Sequence, residues 1–491
     1  MTVAELLDGA GLTAPLPESL RNVPVEGLEY DSRRIRPGYL FFAFPGAKVD
    51  GRAFGAKAVE NGAIAVISEL PAPEGFGGPW LTVEHGRAVL AIAARRFYNL
   101  PDRRLKLVGI TGTNGKTTTS YLIDSILRAA GGITGLIGTI EYQLAGDRRP
   151  AVNTTPETLD LLRLFAELED RGGTHVTMEV SSHALALRRV YGLEFHTAIF
   201  SNLTRDHLDF HQTMASYFAA KHLLFEGAGA RPPLWSVVNY DDEYGRRIRP
   251  GDGSQVLSYG IDAGVVRPQG LHSGFDGLRF RLVHPGGSFD VASPLVGRIN
   301  VYNILAACAA GLTFGLSGEV IARGIAECRA VPGRFERVEQ GQPFLVVVDY
   351  AHTDDALRNV LAVARALNPR RLITLFGCGG DRDRAKRPLM GQAAAEGSDY
   401  AILTSDNPRS EDPLAIINDA LVGLRRADTP HAVEPDRAKA IRLAIEEAGT
   451  GDIVILAGKG HETYQEVAGV KHPFDDREVA RRVLAELGYP L

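Results

Sequence analysis

The stretch Leu107-Val108-Gly109-Ile110-Thr111-Gly112-Thr113-Asn114-Gly115-Lys116-Thr117-Thr118 decides the fold. An apolar run meets a glycine-bearing turn, and Leu122, Ile123, Ile126, Leu127 and Ala130 then follow at helical spacing. The order reads as strand, tight loop and helix, with Gly131 able to cap the helix end. Such a unit cradles a nucleotide. Glycines let backbone N–H groups approach phosphate oxygens, and the helix N-terminus adds positive dipole. Lys116 can neutralise the β- and γ-phosphates, and Thr117 can hold Mg2+. The spacing is a shortened G-x-x-G-K-T, because residue 110 is Ile. The competing reading is a structural glycine turn. Gly112, Thr113, Asn114, Gly115, Lys116, Thr117 and Thr118 are the candidate nucleotide-binding residues.

Upstream, residues 1–100 read as a small mixed α/β domain. Leu40-Phe41-Phe42-Ala43 and Ala63-Ile64-Ala65-Val66-Ile67 are expected strands, and 52–62 an expected helix ending at glycine. Downstream, strands at 176–180 and 198–201 run into polar residues. Strands are expected again at 344–348, 372–376, 401–404 and 453–456, with helices between them. That alternation predicts a parallel, doubly wound sheet. Pro and Gly punctuate the chain at Tyr98-Asn99-Leu100-Pro101-Asp102 and Val331-Pro332-Gly333-Arg334. The expectation is an α/β chain of three domains: 1–100; a central P-loop ATPase-type parallel sheet at 101–332; and a Rossmann-like doubly wound domain at 333–491.

The chain has 491 residues, and its net charge of −5 argues against a dedicated nucleic-acid binder. The cluster Arg33-Arg34-Ile35-Arg36 reads as a solvated face. Cys308, Cys328 and Cys378 form no C-x-x-C pair, so neither a disulfide framework nor a zinc site is implied. The N-terminus lacks a basic segment followed by an apolar core, and no apolar run reaches the roughly 18 residues of a membrane span. A cytoplasmic protein is the expectation.

Glu179, at a strand end, suits a magnesium ligand or is a surface glutamate. His183 and His207 read as satisfied structural residues or as site residues. His207 lies in the polar cluster Thr204-Arg205-Asp206-His207-Leu208-Asp209. The last four expected strands lead into Asp349-Tyr350-Ala351-His352, Gly379-Gly380-Asp381-Arg382-Asp383, Asp406-Asn407-Pro408-Arg409 and Gly458-Lys459-Gly460-His461-Glu462. Ligands of such sheets bind beyond the carboxyl ends of the strands.

Together these residues resemble the Mur ligase family, the ATP-dependent ligases of peptidoglycan precursor assembly. TGTNGKTTT at 111–119, EVSSHAL at 179–185, SNLTRDHLDFH at 201–211, the lysine of ASYFAAKHLLF, GRINVYN at 297–303, VPGRFE at 331–336 and DYAHT at 349–353 occur in the family's order. YDSRRIRPGYLFFAFPGAKVDG looks like the family's UDP-binding domain, and DNPR at 406–409 like its diaminopimelate-adding branch.

The resemblance implies a chemistry. ATP phosphorylates the D-Glu side-chain carboxylate of UDP-N-acetylmuramoyl-L-Ala-D-Glu, and the amine of meso-diaminopimelate attacks the acyl phosphate. It further implies that Lys221, blind to family a plain surface lysine, is carbamylated by CO2, which requires burial to lower its pKa from about 10.4. Thr117 and Glu179 would hold one Mg2+, and His207 with the Lys221 carbamate another. With Lys116, the residues Glu179, His207 and Lys221 form the implied catalytic set.

By the same resemblance, the ATP base and ribose would meet Asn303, Arg334, Asp349 and His352. The UDP end would meet Tyr30, Ser32, Ala47, Lys48 and Val49. The muramoyl-dipeptide would meet Asn153, Thr154, Thr155, Ser181 and Arg189, although 153–155 also reads as a turn or helix cap. The amino-acid substrate would meet Arg382, Asp406, Asn407, Pro408, Arg409, Gly458 and Glu462. Arg409 offers a planar fork to a carboxylate and Glu462 an anion to an ammonium. A monomer is expected.

Three positions depart from the family pattern. Leu187 stands where many relatives have Gln, Asp354 replaces a common Pro and is expected to loosen a turn, and Tyr30 stands where Leu is frequent. Other readings are a ligase adding L-lysine or L-ornithine, a folylpolyglutamate synthase-like ligase, and a P-loop switch without ligase chemistry.

Overall fold

The strand that feeds the loop, Lys106–Thr111, lies within an eight-stranded sheet. Its order is Gln255–Tyr259, Trp235–Asn239, Phe195–Phe200, Lys106–Thr111, His175–Glu179, Thr134–Ile137, Glu141–Leu144 and Asp147–Pro150. Pairing is parallel from the first strand to Thr134–Ile137 and antiparallel through the last two. The central strands Lys106–Thr111, Thr134–Ile137, His175–Glu179 and Phe195–Phe200 are buried along nearly their whole length, as parallel strands covered on both faces are. These facts come from a computed structural model that describes residues 1–45 and 50–489. Ala47, Lys48 and Val49 lie outside the described residues.

Two compact units make up the chain: Met1–Gln269 with Leu282–Phe289 and Tyr302–Ile325, and Gly270–Arg281 with Asp290–Val301 and Ala326–Leu491. In the first unit, a four-stranded parallel sheet precedes the large one: Gly27–Glu29, Tyr39–Phe42, Ala63–Ser68 and Trp80–Thr82. Leu28, Leu40 and Phe42 join the same core as Phe165, Met178 and Phe200. The segment expected as one helix over 52–62 is a 3-10 turn, Gly51–Phe54, followed by the α-helix Gly55–Glu60.

Arg34 is exposed, as a solvated face requires, and also pairs with a carboxylate beneath it. Glu29 is almost fully buried, and Arg34 and Arg163 reach it at 2.8 and 3.0 Å, because a buried carboxylate demands partners. Arg33 is exposed as well, paired with Asp31.

The second unit carries the expected doubly wound sheet, ordered Glu336–Val338, Leu345–Asp349, Ile453–Ala457, Leu372–Cys378, Tyr400–Ser405 and His431–Val433. Only the pairing of Glu336–Val338 is antiparallel. Side chains alternate between two cores: Leu345 and Val347 pack with the helices Asp354–Arg365, Lys386–Gly397 and Pro413–Leu424, whereas Val346 and Val348 pack with Arg437–Glu446 and Asp476–Glu486. Asp354 loosens nothing. It opens its helix behind the N-cap Thr353, where an acidic side chain complements the helix dipole.

One ion pair of the second unit has no solvent access. Arg437 donates from Nε and Nη2 to Asp476 at 2.8 and 2.6 Å, and from Nη2 to the Ala457 carbonyl at 3.0 Å. Asp476→Ala strands the guanidinium, and a loss of about 3–5 kcal/mol is expected as a lowered urea midpoint. The double variant Arg437→Met/Asp476→Leu should recover most of it; a single variant with the wild-type midpoint would show that the pair contributes no stability.

Candidate functional site

The helix Lys116–Ala129 begins without a side-chain cap, so its first N–H groups are left for another acceptor. Its N-cap, Gly115, has φ +87°, and a Cβ there would meet Asn303 Oδ1 at 2.3 Å. At Gly112, φ is +145° and a Cβ would meet Ser201 Oγ at 1.9 Å. Both positions need glycine for backbone shape and for close approach. The loop is braced from the strand end at 201–204. Thr113 N–H donates to Asn202 O, Asn114 N–H to Asn202 Oδ1, and Ser201 Oγ to Asn114 O. Thr118 is buried in the helix's first turn. Asn303 stands at this phosphate end, where its Oδ1 also accepts from Thr119.

Glu179 is 1% exposed and sits at the loop. Oε1 accepts from Thr117 Oγ1 and from Thr139 N–H, each at 2.9 Å; Oε2 accepts from Thr139 Oγ1 at 3.1 Å. The surface-glutamate reading is thereby excluded. Thr139 was not singled out in the sequence; a lone Gly138-Thr139 after a strand gave no distinguishing signal. A Cβ at Gly138 would lie 2.5 Å from Glu179 Oε1.

Lys221 is 1% exposed, on the helix Met214–Glu226. Its Nζ donates to Gly112 O at 2.7 Å and lies 4.6 Å from the Tyr217 ring centre. Lys116 Nζ donates to the same Gly112 oxygen at 3.0 Å and to Thr113 O at 2.8 Å. Burial, then the Lys116 charge, push the Lys221 amine well below the usual lysine range, with Asp206 opposing. A plain surface lysine is excluded.

His207 holds a left-handed backbone, φ +52°, and burial lowers its ring pKa. Its ring packs edge-on to that of His183, centre to centre at 4.8 Å. His211, which the sequence reading passed over, is buried and bonds Ser182 Oγ at 2.9 Å, and burial lowers it to about 4.

At the other end of the first unit, the Tyr30 hydroxyl bonds the Asp160 carboxylate and its ring stacks on Phe44 at 6.2 Å. Ser32 is buried behind the N-cap Asp31. None of 153–155 caps the next helix, Thr158–Asp170, whose N-cap is Glu157. Tyr142 instead pins Asn153 through both its N–H and its C=O. Thr154 Oγ1 meets Thr139 Oγ1 at 3.1 Å, and Thr155 Oγ1 donates to Glu179 O at 2.9 Å. Ser181 caps the helix Ser182–Ala186, and Arg189 donates to Thr155 O. The helix ends at Leu187, its C-cap.

In the second unit, Asp349 accepts from Phe335 N–H at 2.7 Å, and the Arg334 guanidinium lies over Tyr350. His352 is exposed beside that ring. Asp406, Asn407, Pro408 and Arg409 follow the strand Tyr400–Ser405 and meet two neighbours. Arg409 Nη1 donates to Gly380 O at 2.6 Å, and Arg409 N–H donates to Glu466 O in the hairpin Tyr464–Val467/Val470–Pro473. Arg382 projects from the same loop region, exposed. A Cβ at Gly458 would lie 2.8 Å from Asp406 Oδ2. Glu462 accepts from Asn407 Nδ2 at 2.8 Å and from Lys459 Nζ at 3.2 Å. Lys459, fully buried, was quoted with its motif but not singled out.

Three family models match in order. Residues 24–98 match "Mur ligase family, catalytic domain", 110–311 "Mur ligase middle domain", and 333–460 "Mur ligase, glutamate ligase domain". The chain belongs to the Mur ligase family. A Mur ligase is an ATP-dependent ligase, which excludes the P-loop switch reading. Among its relatives, a UDP-N-acetylmuramoyl-L-alanyl-D-glutamate--2,6-diaminopimelate ligase of Solibacter usitatus is 65% identical, covering 100% of this chain and 99% of that protein. A protein of the same name from Geobacillus thermodenitrificans is 46% identical over 95% and 96%. A solved structure of a ligase with that name superposes with a TM-score of 0.73 at 33% identity, covering 99% of both chains.

Mur ligases use ATP and Mg2+. Thr117 and Glu179 fit a hard cation, since Mg2+ takes one or two carboxylates beside phosphate oxygens and waters. Among the described residues no group of three or more His, Cys, Asp or Glu side chains could hold a metal by itself.

Two glycine variants separate loop function from backbone strain. Gly115→Ala should raise the ATP Kd at least about tenfold. Gly131→Ala, with φ +84° but open space around it, should cost about 1 kcal/mol of stability and leave that Kd unchanged. Calorimetric titration of ATP into both variants checks this; equal affinities would disprove it.

Proposed function

We propose that this Mur ligase joins meso-diaminopimelate to the D-Glu side-chain carboxylate of UDP-N-acetylmuramoyl-L-Ala-D-Glu, with ATP cleaved to ADP and phosphate. The naming of its 65%-identical, full-length relative supports the substrate pair. The observation that carries the reading is the cluster of Asp406, Asn407, Arg409 and Glu462 at strand ends of one sheet. It offers cationic and anionic groups side by side, as a zwitterionic amino acid requires.

A carboxylate resists attack by an amine until one oxygen becomes a leaving group. Phosphoryl transfer to it depends on position and charge neutralisation. The loop N–H groups and Lys116 hold the β- and γ-phosphates, while Thr117 and Glu179 orient the cation. Mg2+ held by Thr117 and Glu179 would supply charge neutralisation at the phosphoryl group. Asn303, Arg334, Asp349 and His352 serve the base and ribose. Tyr30, Ser32, Ala47, Lys48 and Val49 serve the UDP end, and Asn153, Thr154, Thr155, Ser181 and Arg189 the muramoyl-dipeptide. The amine of diaminopimelate then attacks the acyl phosphate, and inorganic phosphate leaves from the tetrahedral intermediate.

Lys221 is the carbamate site in this reading. Its ammonium first gives up one proton; the neutral amine then bonds the carbon of CO2 and loses a second, so a cation becomes an anionic oxygen ligand beside His207. The lowered pKa of a buried amine supports this. Below that pKa the amine is protonated and unreactive; above it CO2 adds. The divisions 1–100, 101–332 and 333–491 belong to the same proposal, supported by the three model matches. So do a monomeric state, a cytoplasmic location and the lack of nucleic-acid partners. No described helix is long and apolar enough to cross a membrane.

Phosphate release measured with UDP-N-acetylmuramoyl-L-Ala-D-Glu and a panel of amino acids tests the substrate. Meso-diaminopimelate should exceed L-lysine and L-ornithine, and faster turnover with lysine would reverse the assignment. Arg409→Ala should raise the KM for diaminopimelate at least about tenfold and leave that for ATP within about twofold. Intact-mass measurement under CO2 should find one carboxyl adduct that Lys221→Ala lacks. Full activity of unmodified enzyme in CO2-free buffer would remove the carbamate.

A further inference from the structure

A primary amide has an oxygen with two lone pairs and a nitrogen with two N–H donors. At Asn407 both lone pairs are engaged: Lys459 Nζ donates to Oδ1 at 3.0 Å and Glu466 N–H at 2.9 Å. Asn407 Nδ2 donates to Glu462 Oε2 at 2.8 Å. The orientation is enforced. An ammonium and a backbone N–H only donate, and a carboxylate only accepts. A flipped amide would set N–H against N–H twice and oxygen against oxygen once. Asn407 therefore has nothing to accept with and one N–H still to give.

The same lysine orients Glu462. Oε2 receives Lys459 Nζ at 3.2 Å as well as Asn407 Nδ2, and among the described residues nothing donates to Oε1. Asp406 Oδ1 lies 3.5 Å from Lys459 Nζ. Lys459 is 0% exposed, Asn407 4% and Asp406 6%, so water cannot take over these bonds. Immediately around Lys459, two carboxylates and one ammonium leave a single net negative charge, which the Arg409 guanidinium of the same pocket balances. The pocket thus offers an acceptor for one ammonium at Glu462 Oε1. It offers donors for one carboxylate at Asn407 and Arg409.

We propose that Lys459 is a positioning residue that fixes this donor–acceptor polarity. It thereby selects an amino acid whose far end carries both an ammonium and a carboxylate over one whose far end carries an ammonium alone. The proposal rests on the ligase reading above and adds to it the residue that sets acceptor choice. Without Lys459 the amide oxygen keeps only the Glu466 N–H as its donor, which loosens its orientation, and the pocket loses one positive charge. Both changes favour lysine.

The test is steady-state kinetics with meso-diaminopimelate and L-lysine on the full-length enzyme, with thermal unfolding to verify folding. In Lys459→Met, the KM for meso-diaminopimelate should rise and the ratio of its kcat/KM to that of L-lysine should fall, each at least about tenfold. The KM for ATP should stay within about twofold. Asn407→Asp keeps the buried lysine paired while deleting the N–H, so it should lower the ratio similarly even if Lys459→Met does not fold. A wild type selective for meso-diaminopimelate whose selectivity survives in a folded variant overturns this proposal alone. So does an ATP KM that rises in step with that of the amino acid. A wild type that uses L-lysine and not meso-diaminopimelate overturns this proposal and the substrate reading together.

Discussion

Lys116 and Lys221 both donate to the carbonyl oxygen of Gly112, and much of the first unit follows from that convergence. Two ammonium groups cannot share one acceptor in a buried place without cost, because like charges repel and neither is fully hydrated. The loop can relieve the strain in two ways. It can receive anionic phosphates, which draw Lys116 outward, or Lys221 can give up its proton. Both are steps of the proposed chemistry. The glycines at 112 and 115, the bracing from Asn202 and the buried Glu179 keep the loop from relaxing by a third route, its own collapse.

A second buried lysine shows how environment sets role. Lys221 faces a carbonyl, an aromatic ring and another cation, so its charge is a liability and its amine is open to reaction. Lys459 faces two carboxylates and an amide oxygen, so its charge is the bond that holds the amino-acid pocket in one arrangement. Helix and loop context alone would not separate them. The neighbours do.

Strands and loop were legible because apolar runs, glycine turns and helical spacing are local signals. Four strands of the last sheet begin and end within two residues of expectation, with the polar motifs at their carboxyl ends, whereas the short edge strands Glu336–Val338 and His431–Val433 carried no such signal. Lys221 was different. Nothing in ASYFAAKHLLF marks its lysine as buried, and only the family resemblance raised it. Thr139 and Lys459 escaped notice because their roles depend on contacts 40 and 52 residues away in sequence, to Glu179 and Asn407. The pairing of exposed Arg34 with Glu29 was hidden for the same reason: Glu29 is buried by a sheet that the charge run does not reveal.

The helix Asp476–Glu486 supplies only one group to the interior ion pair, yet among the described residues that group is the sole carboxylate hydrogen-bonded to Arg437, which in turn holds the carbonyl just before Gly458. A ribosome that stalled shortly before residue 476 would release a chain already holding every motif of the nucleotide and amino-acid sites. It would also hold a stranded guanidinium beneath the last of them. Completion of synthesis is thus built into the site as an electrostatic requirement, and a truncated product should present itself to proteolysis rather than as a slow enzyme.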